Sequence, residues 1–313
     1  ETLLFCYSII MVSVIRAKVL GYCMGVRRAV DSAEKALAEY PDRVVYSLGP
    51  LIHNKTALKR LEKQGLRMLD VKHIDEFCAE LMRDGTNGKK MPVVIIRAHG
   101  TPPAVRRTLQ KAGVLIVDAT CPRVLVNQKR AADYTAQGYM LVIAGDKNHG
   151  EVAAVAGVAS DKGINYVVVQ NRREAQKLAV DSAFCRAKAV LISQTTFSET
   201  EYKTIQKILC RTNAQLTVFD TICPATRERQ KALHELCAAV DGVLVIGGKN
   251  SANTKCLFQT AQKISPRAAY IENTTEIPQE FLHLKKVGIT AGASTPDELI
   301  ADAERFLQKM REA

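Results

Sequence analysis

The chain has 313 residues, 47% hydrophobic and 24% charged, which is enough to bury a substantial core and excludes a disordered polar tail. Aromatics make up 5% with no Trp, against a large carbohydrate- or base-stacking surface, and the nine cysteines fit a reducing compartment, the cytoplasm by default, better than a secreted disulfide framework. The net charge of +12 raises nucleic acid as a partner, but the basic residues are scattered through helical stretches without an RNP-like aromatic motif, so a solvated surface is the simpler reading.

The first apolar stretch, LLFCYSIIMVSVI, lacks a basic leading region and an A-x-A site and is too short to span a bilayer. Residues 12–20 are expected as a strand, with Met11 a candidate start and 1–11 an extension of unassigned order. A helix follows in VRRAVDSAEKALAEY, where Val26, Ala29, Val30, Ala33 and Leu37 recur at helical spacing. Further helices are expected at 54–64, 103–112, 124–137, 150–160, 198–211, 226–240, 253–264 and 296–311, alternating with short apolar runs as parallel sheets require. The turn-rich stretch RDGTNGKKMP at 83–92 reads as a surface excursion.

This rhythm repeats. DATCPRV at 118–124 and DTICPAT at 220–226 both follow a strand-like run, and Cys23, Cys121 and Cys223 stand 98 and 102 residues apart. A second apolar run ends 27 to 30 residues after each, at His53, at His149 and at Asn250 to Asn253. A third ends 71 to 76 residues after each, at His99, Thr195 and Ser294. A period near 100 residues is too long for a solenoid and suits a small α/β domain, so three similar domains are expected. Their spans are 24–121, 122–223 and 224–313, the last completed by the strand in 12–23. Every marked residue then falls between a strand's carboxyl end and a helix start, where open α/β sheets place their ligands.

Cys6, Cys78, Cys185, Cys210, Cys237 and Cys256 carry no such motif and are expected as small buried hydrophobes, while His73, His234 and His283 read as ordinary histidines. The three phased cysteines form a candidate ligand set without any local CxxC pair. They suit zinc completed by a fourth ligand, or an iron-sulfur cube with one iron left open; apolar loops rich in Gly, Thr and Pro favour the cluster. The pair Gly247-Gly248 lies in no complete dinucleotide or P-loop pattern.

GYCMGVRRAV, GPLIHNK, RAHGTP, DATCPRV, HGEV, SQTT, TICPAT with RQKA, GGKNSANT and GITAGASTP occur in this order over residues 12–302. In this the chain resembles the 4-hydroxy-3-methylbut-2-enyl diphosphate reductase (LytB) family. The resemblance implies three α/β domains in a pseudo-threefold arrangement around a central 4Fe-4S cluster. It also implies loss of the substrate's C4 hydroxyl to give isopentenyl and dimethylallyl diphosphate, the last step of the non-mevalonate pathway. By position, Cys23, Cys121 and Cys223 match the cluster ligands. His53, His99, His149, Ser251, Asn253 and Ser294 match the diphosphate pocket, Glu151 the proton donor and Thr195 its partner. Where relatives commonly read NSSN this chain has NSAN, so any contact from Ala252 is through its backbone. Reduced ferredoxin or flavodoxin is the implied electron donor, which a basic surface would attract. Two rival readings are a non-redox iron-sulfur dehydratase acting on a small phosphorylated substrate, and a zinc protein that binds anions without catalysis.

Overall fold

The computed structural model describes residues 12–84 and 90–309. The extension 1–11, with Cys6, and the centre of the excursion at 83–92 lie outside the described residues.

The described strands form three four-stranded sheets, parallel throughout. One sheet orders Arg67–Leu69, Val45–Leu48, Val93–Ile96 and Leu115–Asp118. Another orders Tyr166–Val169, Met140–Ala144, Ala189–Ser193 and Leu216–Val218. In both, the chain's second strand lies at one edge and its fourth at the other. The remaining sheet repeats this with Ala268–Ile271, Gly242–Ile246 and Lys286–Ala291, and its far edge is taken by the N-terminal strand Ser13–Arg16. Ser13 pairs with Lys286 and Arg16 with Ile289. Each of Cys23, Cys121 and Cys223 thus follows the edge strand in the same topological position.

The strand expected over 12–20 is confined to Ser13–Arg16. The next residues turn toward the first helix, Met24–Glu39, whose buried face is Gly25, Ala29, Val30, Ala33 and Ala36. Val26 and Leu37 are only half-buried, so the stripe is rotated toward small residues that permit close approach. The other expected helices are present within two or three residues of their expected ends. Those of Ile74–Asp84, Arg172–Leu178 and Ser182–Arg186 carried no signal that the sequence reading used.

Two compact units are distinguished by their contacts: among the described residues, 24–226 hold two sheets, and 12–23 with 227–309 hold the third. In every sheet the central strands are buried on both faces, as continuous apolar runs such as VVII at Val93–Ile96 and AVLIS at Ala189–Ser193 require. Leu191 packs against Phe184, Tyr202, Ile205 and Leu209, and Ile289 against Phe281, Ile300 and Leu307. Cutting Leu191 to Ala would cost about 2–5 kcal/mol, because a close-packed core closes only part of the cavity. No helix among the described residues is long and apolar enough to cross a membrane.

Candidate functional site

The Cys-Pro corner has a local cause. Pro122 and Pro224 are the first residues of the helices Pro122–Ala136 and Pro224–Cys237, a position where a missing N–H removes no helical bond and the fixed φ favours helix. Cys121 is left as the residue before the helix, its side chain making no capping bond. The backbone N–H of each phased cysteine then donates to a loop at the end of a neighbouring strand. Cys121 donates to Ala98 O at 3.0 Å, Cys223 to Thr195 O at 2.9 Å and Cys23 to Ala293 O at 3.1 Å. One bond, made three times, holds the cysteines against Thr195 and against Ala98 and Ala293, the residues before His99 and Ser294.

In the unit of residues 24–226, three histidines converge. Ring centroids are 4.9 Å apart for His53 and His99, 4.9 Å for His99 and His149, and 6.0 Å for His53 and His149. His149 caps the helix Gly150–Ser160, its Nδ1 accepting from the Glu151 N–H at 3.2 Å, which assigns the neutral ring's proton to Nε2. His99 Nδ1 is buried with no hydrogen-bond partner among the described residues. Burial, with Arg97 adding repulsion, lowers His53 to about 4. Burial also brings His149 to about 4, with His53 and Arg97 contributing, and holds His99 well below the usual imidazole value. Three neutral imidazoles with ligand atoms within 4.8 Å of one another could hold a metal ion. The Arg97 guanidinium acting on all three opposes a cation there and favours an anion.

Glu151 sits on a helix that is apolar on nearly every side and is itself 1% exposed. Its Oε1 accepts from the Thr195 N–H at 2.8 Å and its Oε2 from the Thr195 hydroxyl at 2.7 Å. Asn127, on the adjoining helix Pro122–Ala136, donates to Ser193 O at 3.3 Å and adds a smaller stabilisation of the charged carboxyl. Desolvation outweighs these bonds and raises the carboxyl to about 7, so a proton is retained near neutrality. The Thr195 loop is fixed from below, where Thr221 Oγ1 accepts from Ser193 N–H at 2.7 Å, and from the side, where Thr226 donates to Thr195 O at 3.2 Å. Gln194 accepts from Asp146 N–H at 3.0 Å and so ties this loop to the one that ends in His149. Arg97, Asn127 and Gln194 were not singled out from the sequence; a polar residue close to a phased position was the signal available for Arg97 and Gln194, and Asn127, within its helix, carried none.

In the other unit, Ser251 caps the helix Ala252–Ile264, accepting from Thr254 N–H at 3.3 Å. Ala252 and Asn253 open that helix, where the first amides lack a carbonyl of a preceding turn. Asn253 Nδ2 is buried and unpartnered among the described residues, a group whose desolvation a ligand would offset. Ser294 is also buried, in the loop that Cys23 joins through Ala293.

The eight described cysteines form no disulfide. Cys78 is fully buried as expected, and Cys185, Cys237 and Cys256 are partly buried, whereas Cys210 is exposed at the end of its helix. His73, His234 and His283 are exposed and remote from any motif.

The family model described as "LytB protein" matches residues 14–308. The 4-hydroxy-3-methylbut-2-enyl diphosphate reductase of Treponema denticola is 44% identical over 295 residues, covering 93% of this chain and 98% of that protein. The enzyme of the same name from Aquifex aeolicus is 35% identical over 306 residues, covering 96% and 98%. A solved (E)-4-hydroxy-3-methyl-but-2-enyl diphosphate reductase, described as the terminal enzyme of the non-mevalonate pathway, matches with a TM-score of 0.68 at 34% identity over 96% of this chain and 100% of its own. The Plasmodium falciparum E-1-hydroxy-2-methyl-but-2-enyl-4-diphosphate reductase matches with a TM-score of 0.80 at 26% identity, over 95% and 87%.

Proposed function

The chain belongs to the LytB protein family, and on that premise we propose how its residues act as a 4-hydroxy-3-methylbut-2-enyl diphosphate reductase. The reaction adds two electrons and two protons, breaks the C4–O bond, and releases water with isopentenyl or dimethylallyl diphosphate. It is the terminal step of the non-mevalonate route to isoprenoids.

The family is iron-sulfur dependent, and this chain's residues fit such a group. Cys121 is free of any disulfide, and a methyl group at Gly25 would lie 2.7 Å from its Sγ, so only glycine leaves that sulfur its space. We assign Cys23, Cys121 and Cys223 as the three ligands of one 4Fe-4S cluster with an open iron. When bound, the cluster supplies the electrons and a Lewis acid for the substrate hydroxyl.

The protein's own groups do the rest. His53, His99 and His149 offer hydrogen-bond donors to the diphosphate, as do Ser251, Asn253, Ser294 and the backbone of Ala252. Glu151 holds the proton that the departing hydroxyl requires, and Thr195 fixes the orientation of both carboxyl oxygens. The observation that carries the reading is a carboxyl 1% exposed and raised to about 7 beside the histidine cluster.

That the eight described cysteines form no disulfide supports a cytoplasmic site of action, and the charge of +12 supports an acidic donor, reduced ferredoxin or flavodoxin. Anaerobically purified protein tests the assignment. It should be brown, contain iron and sulfide, and form both products only with a reductant. Turnover without reductant would make it a dehydratase, and a colourless zinc protein would overturn the cluster.

A further inference from the structure

A pocket for a diphosphate built from neutral imidazoles offers donors but no fixed charge, and the chain supplies one where the sequence did not demand it. Arg97 directly follows the buried strand Val93–Ile96 and precedes His99 by two residues. Its guanidinium lies against two backbones that border the histidines. A methyl group at Gly49 would stand 3.2 Å from Nη1, and one at Gly150, next to His149, would overlap Nη2. Gly49 also has φ +73°, a conformation other residues rarely adopt. Both loops therefore leave room for this side chain and no more.

Arg97 is partly buried, and among the described residues no carboxylate pairs with it. A desolvated cation without a counter-charge is unfavourable unless an anion is to arrive. The planar guanidinium presents paired donors that match two phosphate oxygens, which a point charge does not.

We infer that Arg97 binds the substrate's diphosphate with its planar fork and supplies the pocket's permanent positive charge. The inference rests on reading His53, His99 and His149 as the diphosphate pocket. The depressed imidazole values are consistent with it, since they leave Arg97 the charged member of the group at neutral pH.

Inorganic diphosphate is the probe, titrated calorimetrically into the cluster-loaded protein. Arg97→Gln should weaken binding by about 10- to 100-fold, the range for hydrogen bonds to a charged group. In turnover the loss should appear in KM more than in kcat. Arg97→Lys, which keeps the charge without the fork, should bind several-fold more weakly than the parent and more tightly than Arg97→Gln. If Arg97→Gln does not fold, the Lys variant decides, and affinity equal to the parent's overturns the inference. Parent-like affinity in a folded Arg97→Gln does the same while the histidine pocket stands, provided that His149→Asn weakens binding. If the parent fails to bind diphosphate, or His149→Asn also leaves affinity unchanged, the pocket reading falls and the inference with it.

Discussion

Thr195 holds both oxygens of Glu151, its backbone N–H on Oε1 at 2.8 Å and its hydroxyl on Oε2 at 2.7 Å, while its own carbonyl accepts from Cys223 N–H at 2.9 Å. The carboxyl's position is therefore coupled through one residue to that of Cys223, which we propose as a cluster ligand. The Thr195 bonds lower the carboxyl's pKa against the larger effect of burial. Thr195→Val removes the hydroxyl bond, so Glu151 should keep its proton to higher pH. The alkaline fall in kcat, expected near pH 7 in the parent, should move upward while kcat itself drops. A pH–rate profile checks both directions.

The same carboxyl leaves a mark on stability. Its folded value, about 7, lies above the unfolded 4.5, so the folded state binds the extra proton between these values. Stability from this group is unaffected below pH 4.5 and declines as pH rises toward 7. Glu151→Gln cannot ionise, so the parent should lose up to about 3 kcal/mol relative to it across that window. The depressed histidines act oppositely, losing stability as pH falls from 6.5 toward 4, but they are common to both proteins and cancel. Denaturant titrations of the two proteins at pH 4.5 and 8 measure the difference.

His149 has two separable duties, capping its helix through Nδ1 and facing the other histidines. His149→Asn should preserve the cap, since Asn is a favoured N-cap residue, and raise KM. His149→Ala should raise KM and also cost about 1 kcal/mol of stability. Equal melting temperatures for the two variants would contradict the capping role.

Gly25 gives the cluster assignment a test other than catalysis. Gly25→Ala places a carbon against Cys121 Sγ, and Cys121→Ser removes the ligand, so both should lower iron and sulfide per chain and the absorbance near 400 nm. Cys237→Ser should change none of these. Full iron in Cys121→Ser would remove that cysteine from the ligand set.

Much of this was legible in the sequence because the hundred-residue period is carried by residues with a local structural cause. Cys-Pro corners, strand-end histidines and glycines are fixed by helix starts and by contacts, and they marked every sheet. The strands Arg67–Leu69, Tyr166–Val169 and Ala268–Ile271 were missed because they are edge strands of three or four residues that end in no marked cysteine, histidine or hydroxyl residue, so even the apolar run YVVV stood outside the repeated pattern. Arg97 was missed for a different reason. Its meaning lies in what surrounds it, two glycine loops and three imidazoles brought together from distant stretches, and no local pattern encodes that. Glu151 was visible as part of HGEV, but its burial depends on the apolar helix around it and on Asn127 from another.

Single-turnover reduction by Glu151→Gln tests most directly whether this carboxyl delivers the proton. Gln keeps the size and most of the hydrogen bonding of the carboxyl, so cluster content and affinity for inorganic diphosphate should match the parent's. The rate of product formation in one pre-reduced turnover should fall by about 10²–10⁴, the usual loss for a general acid, and the substrate should be recovered with its hydroxyl intact. A rate near the parent's, with the cluster and diphosphate binding unchanged, would contradict the assignment and place the proton donor elsewhere.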